Sequence, residues 1–285
     1  MKKIIPLSFI LVISSIITLN SCKKKTEVDN ETQSVVDNAL CEQQFMAIQP
    51  VVNDKGITEN GLKRTAATCE TWTILGAIGG TVAPNVSLDT IINASGFFQN
   101  GPVTFQIDYG IIGCIGSDGV YRKGKINITT AKKWKQYGNT ITVDLVGYKA
   151  NTVSYSGQVK ITRVDSVTLT TDVINGYCTS GTWNIEYAAT KTMKQIAGFS
   201  TKGDASDDIY SITGSSSGKN REGRTFTTTI TNPLIKKTNC KWLSSGTLEL
   251  TPNGFAARTV DFGSGTCDDD ATFTVNGQTI SFKLQ

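Results

Sequence analysis

Two stretches with strict alternation decide the fold: residues 140–145 read Thr-Ile-Thr-Val-Asp-Leu, and residues 103–109 read Val-Thr-Phe-Gln-Ile-Asp-Tyr. Apolar side chains alternate with polar ones in both, which is the period of a β-strand with one buried face. Further strands are predicted near residues 124–130, 154–164, 182–188, 209–213, 224–230, 247–251 and 258–262. With the hairpin described next, about eleven strands account for most of the chain after residue 67.

The clearest local signal is the dipeptide Asn276-Gly277, which lies between the alternating stretches 271–275 and 278–284. Asn-Gly favours a type I′ turn, because both residues tolerate positive φ angles. A two-residue turn here places Phe273 opposite Ile280. The sequence therefore predicts a mainly β protein, either an antiparallel β-sandwich or an extended β-meander, with one N-terminal α-helix.

The predicted helix covers residues 31–48, with Asn30 as N-cap and Pro50 ending it. Its apolar positions recur at helical spacing, so we expect one side to pack on the sheet: Val35, Ala39, Phe45 and Met46.

The chain divides into four predicted segments. Residues 1–21 form a signal peptide, residues 22–30 a lipid-anchored tether, residues 31–66 the helix and a loop, and residues 67–285 an all-β domain. Whether this domain is one body or two halves, 67–170 and 171–285, is left open by the sequence.

The N-terminus carries the signals of export. Met1-Lys2-Lys3 precedes an apolar run that is short for a membrane span. The run ends in Leu19-Asn20-Ser21-Cys22, which resembles the lipobox of bacterial lipoproteins and implies that Cys22 is lipidated and binds the protein to a membrane. The alternative is an ordinary signal peptide cut near Ser21, with Cys22 as a disulfide partner.

Composition excludes several classes of function. The chain contains no histidine, which excludes Ser-His-Asp and Cys-His catalysis and histidine-bearing zinc sites. Without Lys2 and Lys3, 26 basic residues face 24 acidic ones, a balance that argues against a nucleic-acid partner. We expect no cofactor and no enzymatic activity, with a hydrolase acting through paired carboxylates as the alternative.

Six cysteines remain besides Cys22, an even number that favours disulfides in an exported protein. A two-residue turn at Asn253-Gly254 would place Cys240 opposite Cys267. Residues 107–114 and 260–267 resemble each other, so by analogy Cys69 pairs with Cys114. The pair that remains is Cys41 with Cys178.

Basic and aromatic residues lie at the two ends of the strand predicted near residues 124–130. Arg122 and Lys125 precede or open it, and Trp134 and Tyr137 follow it. Cations beside aromatic rings suit an anionic sugar. The alternative is a structural Asp-Gly turn and a solvated loop.

Two acidic clusters and one glycine-rich stretch have ordinary explanations. The clusters at residues 204–208 and 268–270 offer oxygen ligands for Ca²⁺ but lack the EF-hand pattern, so we interpret them as solvated turns and predict no metal site. Residues 214–219 lack the phosphate-loop spacing and are predicted to form a hairpin loop.

The motifs Ile107-Asp108-Tyr109-Gly110, Arg122-Lys123-Gly124-Lys125-Ile126 and Gly265-Thr266-Cys267-Asp268 resemble those of a family of uncharacterised Bacteroidota lipoproteins. The resemblance implies an envelope protein on the outer membrane. Lys23-Lys24-Lys25 stands where surface lipoproteins of this phylum carry acidic residues, so both the periplasmic and the surface face stay open. We expect a non-enzymatic module that binds a glycan or an envelope protein. A structural or assembly component is the alternative.

Overall fold

The structure, a computed structural model, describes residues 29–54, 57–58, 61–62, 70–77, 102–116, 118–132, 136–200 and 206–284. The predicted signal peptide, the predicted lipidation site Cys22, the first part of the predicted tether, Cys69 and Trp134 lie outside these residues.

One helix and sixteen strands make up the described part of the chain. Their bounds are α1 Gln33–Asp54, β1 Ile57–Thr58, β2 Gly61–Leu62, β3 Thr71–Ala77, β4 Val103–Asp108, β5 Cys114–Ile115, β6 Tyr121–Thr130, β7 Thr140–Ala150, β8 Val153–Arg163, β9 Thr168–Thr179, β10 Asn184–Ala197, β11 Ile209–Lys219, β12 Thr225–Lys237, β13 Leu243–Pro252, β14 Arg258–Ser264, β15 Asp270–Val275 and β16 Gln278–Lys283.

Fourteen strands form a single antiparallel sheet in which neighbours in sequence are neighbours in space. The order runs from β16 back to β6 without a crossover and continues to β4 and β3, while β5 pairs with β6 and β1 pairs only with β2. The predicted mainly β fold is thus confirmed, and its described strands follow the order of an extended antiparallel meander. The division after residue 170 falls inside β9, which pairs with both β8 and β10, so the sheet continues across it.

Local pattern and structure agree where the alternation is strict. Val103, Phe105 and Ile107 are buried on β4, and Ile141 and Val143 are buried on β7, each with polar neighbours directed away from the core. These residues pack with the apolar side chains of the other strands and of α1 into one core.

The C-terminal hairpin is also confirmed. Phe273 pairs with Ile280, and the turn residues Asn276 and Gly277 have φ angles of 50° and 78°. These are the positive values that a type I′ turn requires.

The helix differs from its prediction in length and in burial. It runs to Asp54 and is not ended at position 50, although proline there lacks a backbone N–H. The polar side chains of Asn38, Glu42 and Gln49 are as buried as the apolar ones. Instead of resting one side on the sheet, α1 is enclosed around its circumference.

The sheet encloses α1 because it is strongly curved. Phe45 of α1 packs on Tyr155 of β8, with ring centroids 5.9 Å apart, and Glu31, just before α1, binds Arg258 of β14. Between these contacts the helix is buried on every side, including the side chains of Asn38, Glu42 and Gln49, although strands β3–β16 belong to a single sheet. The sheet therefore bends around the helix.

A close approach between helix and sheet depends on glycine. A Cβ atom at Gly176 of β9 would lie 3.0 Å from Cζ of Phe45 and 2.7 Å from the carbonyl oxygen of Tyr187. The missing side chain therefore lets the Phe45 ring stack on the Tyr187 ring, with centroids 5.5 Å apart.

Ion pairs bind the N-terminal half of the helix to the sheet. The buried guanidinium of Arg258 contacts both carboxylate oxygens of Asp29 at 2.7 Å and Oε2 of Glu31 at 2.6 Å. Asp37 accepts hydrogen bonds from the backbone and the side chain of Arg221, in the turn between β11 and β12. These contacts, rather than apolar packing alone, fix where the helix enters the sheet.

The cysteine predictions have mixed outcomes. Cys240 and Cys267 form a disulfide, with Cα atoms 5.8 Å apart. The predicted register is off by one, because the strands pair Leu248 with Val260 and then shift near Ser245. The pairing was correct although its geometric basis was not, since a longer turn and a bulge replace the two-residue turn.

The structure shows the state of three of the other four cysteines. Cys41 on α1 and Cys178 on β9 lie side by side as expected, but they are free thiols with Sγ atoms 2.9 Å apart and not a disulfide. Burial is the main reason why the pKa of Cys41 is raised above its ordinary value. Cys114 is disulfide-bonded, and its predicted partner Cys69 lies outside the described residues.

The glycine-rich stretch 214–219 is not a hairpin loop. It forms the second half of β11, where Ser215 pairs with Thr229 of β12 and Gly218 pairs with Phe226. The turn comes after it, at residues 220–224, and Asn220 closes this turn by accepting hydrogen bonds from the backbone of Glu222 and Arg224.

Candidate functional site

Of the residues proposed from sequence for sugar binding, the described ones Lys125 and Tyr137 lie apart. Lys125 lies on β6, and Tyr137, with 62% of its surface exposed, lies in the connection after β6. Five residues of β6 separate Lys125 from the end of the strand, which corresponds to about 17 Å. Trp134 lies outside the described residues.

Arg122 is unsuited to ligand binding, which corrects its assignment as a binding residue. Only 2% of it is exposed, and its two terminal nitrogens contact the two carboxylate oxygens of Asp118 at 2.7 and 2.6 Å. Its Nε donates to the hydroxyl of Tyr148 at 3.1 Å. The guanidinium has no free edge for a sugar carboxylate.

The same cluster explains the titration behaviour of Asp118. Burial on its own would raise the pKa of this carboxyl, but the hydrogen bonds and charge of Arg122 outweigh burial and lower it. The Asp118-Gly119 turn is therefore structural, and its carboxylate anchors β6 to the preceding turn.

The most exposed apolar surface in the described chain was not predicted. Ile111, Ile112 and Ile115, here called the isoleucine knob, are 93%, 82% and 69% exposed. They lie in the turn between β4 and β5 and on β5 itself. Exposed apolar side chains that lie close together in the chain mark interaction surfaces more often than scattered ones do.

Hydrogen bonds hold the knob in a defined shape. The backbone N–H of Gly110 donates to Asp108 at 2.8 Å, and the hydroxyl of Tyr121 donates to the carbonyl oxygen of Ile112. Gly113 has a φ angle of 91°, and a Cβ atom there would lie 2.5 Å from the carbonyl oxygen of Arg122. Only glycine lets the turn lie this close to β6, so the isoleucines are presented on a restrained loop.

Cationic residues lie beside the knob. Lys123 of β6 pairs across the strands with Lys149 of β7, and neither forms an ion pair within the described part of the chain. Lys125 is partly neutralised by Asp108, with a nitrogen–oxygen distance of 3.1 Å. The strand that pairs with β5 and the next strand beyond it thus each carry one lysine without an ion pair among the described residues.

Of the two acidic clusters, residues 268–270 form a surface turn, whereas Asp208 of the other cluster is buried, which corrects its interpretation as a solvated turn residue. Asp268 accepts a hydrogen bond from the backbone of Asp270, and Asp269 and Asp270 both contact Lys283 at 2.7 Å. In the second cluster, Asp208 accepts hydrogen bonds from the side chains of Gln195 and Tyr210. Among the residues with described side chains, no three histidine, cysteine or acidic groups are arranged to hold a metal ion.

No family model, curated protein or solved structure matches the chain. The helix in the described part of the chain is not long and apolar enough to cross a membrane. Assignment of a function therefore depends on the surface geometry.

One feature of the sequence points to the knob in retrospect. In Gly110-Ile111-Ile112-Gly113, two large apolar residues interrupt the alternation and stand between two glycines. A turn normally carries polar residues and lies at the surface, so two isoleucines in a turn are not expected to reach the core.

Proposed function

We propose that this protein is a lipid-anchored envelope lipoprotein that binds another envelope protein through the isoleucine knob. The exposure of Ile111, Ile112 and Ile115 on a restrained loop is the observation that carries the proposal. Burying such side chains contributes roughly 1.5–3 kcal/mol each, enough to anchor a protein interface.

The chemistry of the knob favours a protein over a glycan. Sugar rings bind on the flat faces of aromatic side chains, whereas branched aliphatic side chains fit apolar pockets of proteins. Lys123 and Lys149 add positive charge at the side. The partner on this proposal offers an apolar pocket with acidic residues at its rim.

The position of the knob supports a partner other than the anchoring membrane. Tyr109 precedes the knob, and successive ring contacts lead from it through Tyr148 and Tyr155 to Phe45 in the second half of α1. The tether instead joins the fold at Asp29, before α1. Phe45 and residue 31 are about 21 Å apart along the helix. The knob therefore lies away from the place where the tether joins the fold.

Anchoring at Cys22 is the part of the proposal that rests on sequence alone. Lipidation would hold the body at the outer membrane, because each buried methylene contributes about 0.8 kcal/mol. Replacing Cys22 by serine is expected to move the protein from the membrane fraction to the soluble envelope fraction, while a variant with Lys23 replaced by serine stays with the membrane.

The test of the knob is site-specific photo-crosslinking in intact cells. A photoreactive residue is placed at position 112 and, as a matched control, at position 199, where Phe199 is 59% exposed outside the knob. We expect a discrete adduct with one other protein from position 112 only. Replacing Ile111 and Ile115 by serine in the same chain should reduce this adduct about tenfold or more, since each lost anchor weakens binding by at least about 1.4 kcal/mol.

Four results would contradict the proposal. They are no adduct from position 112, an equal adduct from position 199, an adduct that persists in the serine variant, and an adduct with a polysaccharide, a lipid or a second copy of this chain.

A further inference from the structure

Lys191 and Glu42 meet in the interior of the protein, where neither side chain has any exposed surface. Lys191 projects inward from β10, and Glu42 lies near the middle of α1. Nζ of Lys191 and Oε1 of Glu42 are 2.8 Å apart. This contact is independent of the isoleucine knob and of the function proposed for it.

The contact has the distance of an ion pair but not the alignment of a hydrogen bond. Neither Nζ of Lys191 nor Oε1 of Glu42 has a partner with hydrogen-bond geometry. Because Oε1 is bonded to Cδ, the amine lies next to the carboxyl carbon at which it would add. Such fixed proximity replaces a bimolecular encounter and can correspond to an effective concentration of ~10⁵ M or more.

The buried ion pair lacks the further hydrogen bonds that would stabilise it. A buried ion pair repays its desolvation only when further hydrogen bonds satisfy both partners, and Lys191 lacks them. A site that excludes water also opposes hydrolysis of an amide once it has formed.

Two hydroxyl groups that can transfer protons lie next to the other carboxylate oxygen of Glu42. The hydroxyl of Tyr187 donates to Oε2 of Glu42 at 2.7 Å, and the hydroxyl of Ser216 lies 3.4 Å from the same oxygen. Burial is the main reason why the pKa of Tyr187 is raised well above its ordinary value, so its hydroxyl stays protonated and can relay a proton.

We propose that Lys191 and Glu42 condense to an intramolecular isopeptide bond that fastens α1 covalently to β10. One proton first passes from Nζ to the carboxylate, and the neutral amine then adds to Cδ of Glu42. A second proton passes from nitrogen to the departing oxygen through Tyr187, and the C–O bond breaks. The products are one amide and one water, the two opposite charges cancel, and no oxidant or reductant takes part.

The side-chain amide of Asn38 is a second group that Lys191 could attack. Asn38 lies one helical turn before Glu42 and accepts a hydrogen bond from Ser216 at 3.2 Å. Attack of Lys191 on its side chain would release ammonia instead of water, so the mass of the product and the branch point distinguish the two reactions.

The test is the intact mass of the purified full-length mature protein after disulfide reduction and denaturation, followed by a tryptic map. We expect a mass lower than that of the unmodified chain by one water. Trypsin should not cut after Lys191, because an acylated lysine is not recognised, but should cut after Lys194, which is exposed on the same strand. A branched peptide should join α1 to β10 through Glu42.

Matched variants assign the bond to its lysine. Lys191→Arg keeps the positive charge and should restore the full mass, whereas Lys194→Arg should keep the deficit of one water. The tryptic map of the unmutated protein decides the matter even if the first variant does not fold. A full intact mass, cleavage after Lys191, a deficit that persists in Lys191→Arg, or a loss of ammonia with a branch at Asn38 would each overturn the proposal.

Discussion

Lys236, at the end of β12, is a lysine whose pKa is changed by its buried position. Its ammonium is buried and donates to the carbonyl oxygens of Cys240 and Lys241. Burial lowers its pKa to about 8, the Asp118 carboxylate acts in the opposite direction, and Arg122 adds to the lowering. Since Asp118 precedes β6, six strand spacings from β12, its influence on Lys236 is further evidence of the curvature of the sheet.

This pKa predicts a rise in stability at alkaline pH. Between about pH 8 and 10.5 the unfolded chain holds a proton on Lys236 that the folded protein releases, so the free energy of unfolding increases with pH. Relative to Lys236→Met, the gain should approach roughly 3 kcal/mol, taking about 1.4 kcal/mol for each pH unit. Urea unfolding of both proteins at pH 7.5, 9 and 10.5 measures it. A difference that stays constant over this range would contradict the assignment.

At the scale of elements, the attachment of α1 to the sheet depends on buried charges. Arg258 opens β14 and binds two carboxylates that precede the helix, Asp29 and Glu31. Glu31 also accepts a hydrogen bond from the backbone N–H of Ser34 in the first turn. One arginine therefore supports both the docking of the helix and the acidic group that caps it.

Removal of this arginine should be strongly destabilising. Arg258→Met leaves the two acidic groups without their partner in a buried position, which costs about 3–5 kcal/mol. The matched control is Lys283→Met, because Lys283 also contacts two carboxylates but is exposed, and we expect no measurable change there. Thermal and urea unfolding of both variants tests the contrast, and equal effects would contradict it.

At the scale of the whole molecule, the unbroken sheet predicts that the β domain unfolds as one cooperative unit. β9 pairs with β8 along one edge and with β10 along the other, and Phe45 of α1 packs on residues from both β8 and β10. A cut in the turn at residues 164–167 would expose two long strand edges and divide one apolar core.

We therefore expect a single unfolding transition monitored by circular dichroism and by tryptophan fluorescence, with coincident midpoints. Fragments 67–170 and 171–285 made separately should not fold. A cooperative urea transition in either fragment alone would show that the chain contains two domains.

Most strands and the last hairpin follow from the sequence, because the two-residue period and the chemistry of Asn276-Gly277 act between near neighbours in the chain. Where a local signal competes with pairing, the structure decides. Asn175-Gly176 resembles a turn, yet it lies within β9, at a shift of register where Asn175 takes a φ angle of 50°. Cys240 likewise pairs with Cys267 although the predicted register is off by one, because the pairing of the two strands and a bulge bring these cysteines together.

The sequence by itself determined the alternating strands and the turns that link many of them, since these depend on a few consecutive residues. Only the tertiary structure decided that the sheet bends around the helix, because curvature sums the twist of many strands. That bending makes Arg122, Lys191 and Glu42 interior groups, although charged residues in a strand or a helix normally lie at the surface. The curved sheet encloses Lys191 and Glu42 and leaves the isoleucine knob exposed, and these two outcomes define the candidate sites.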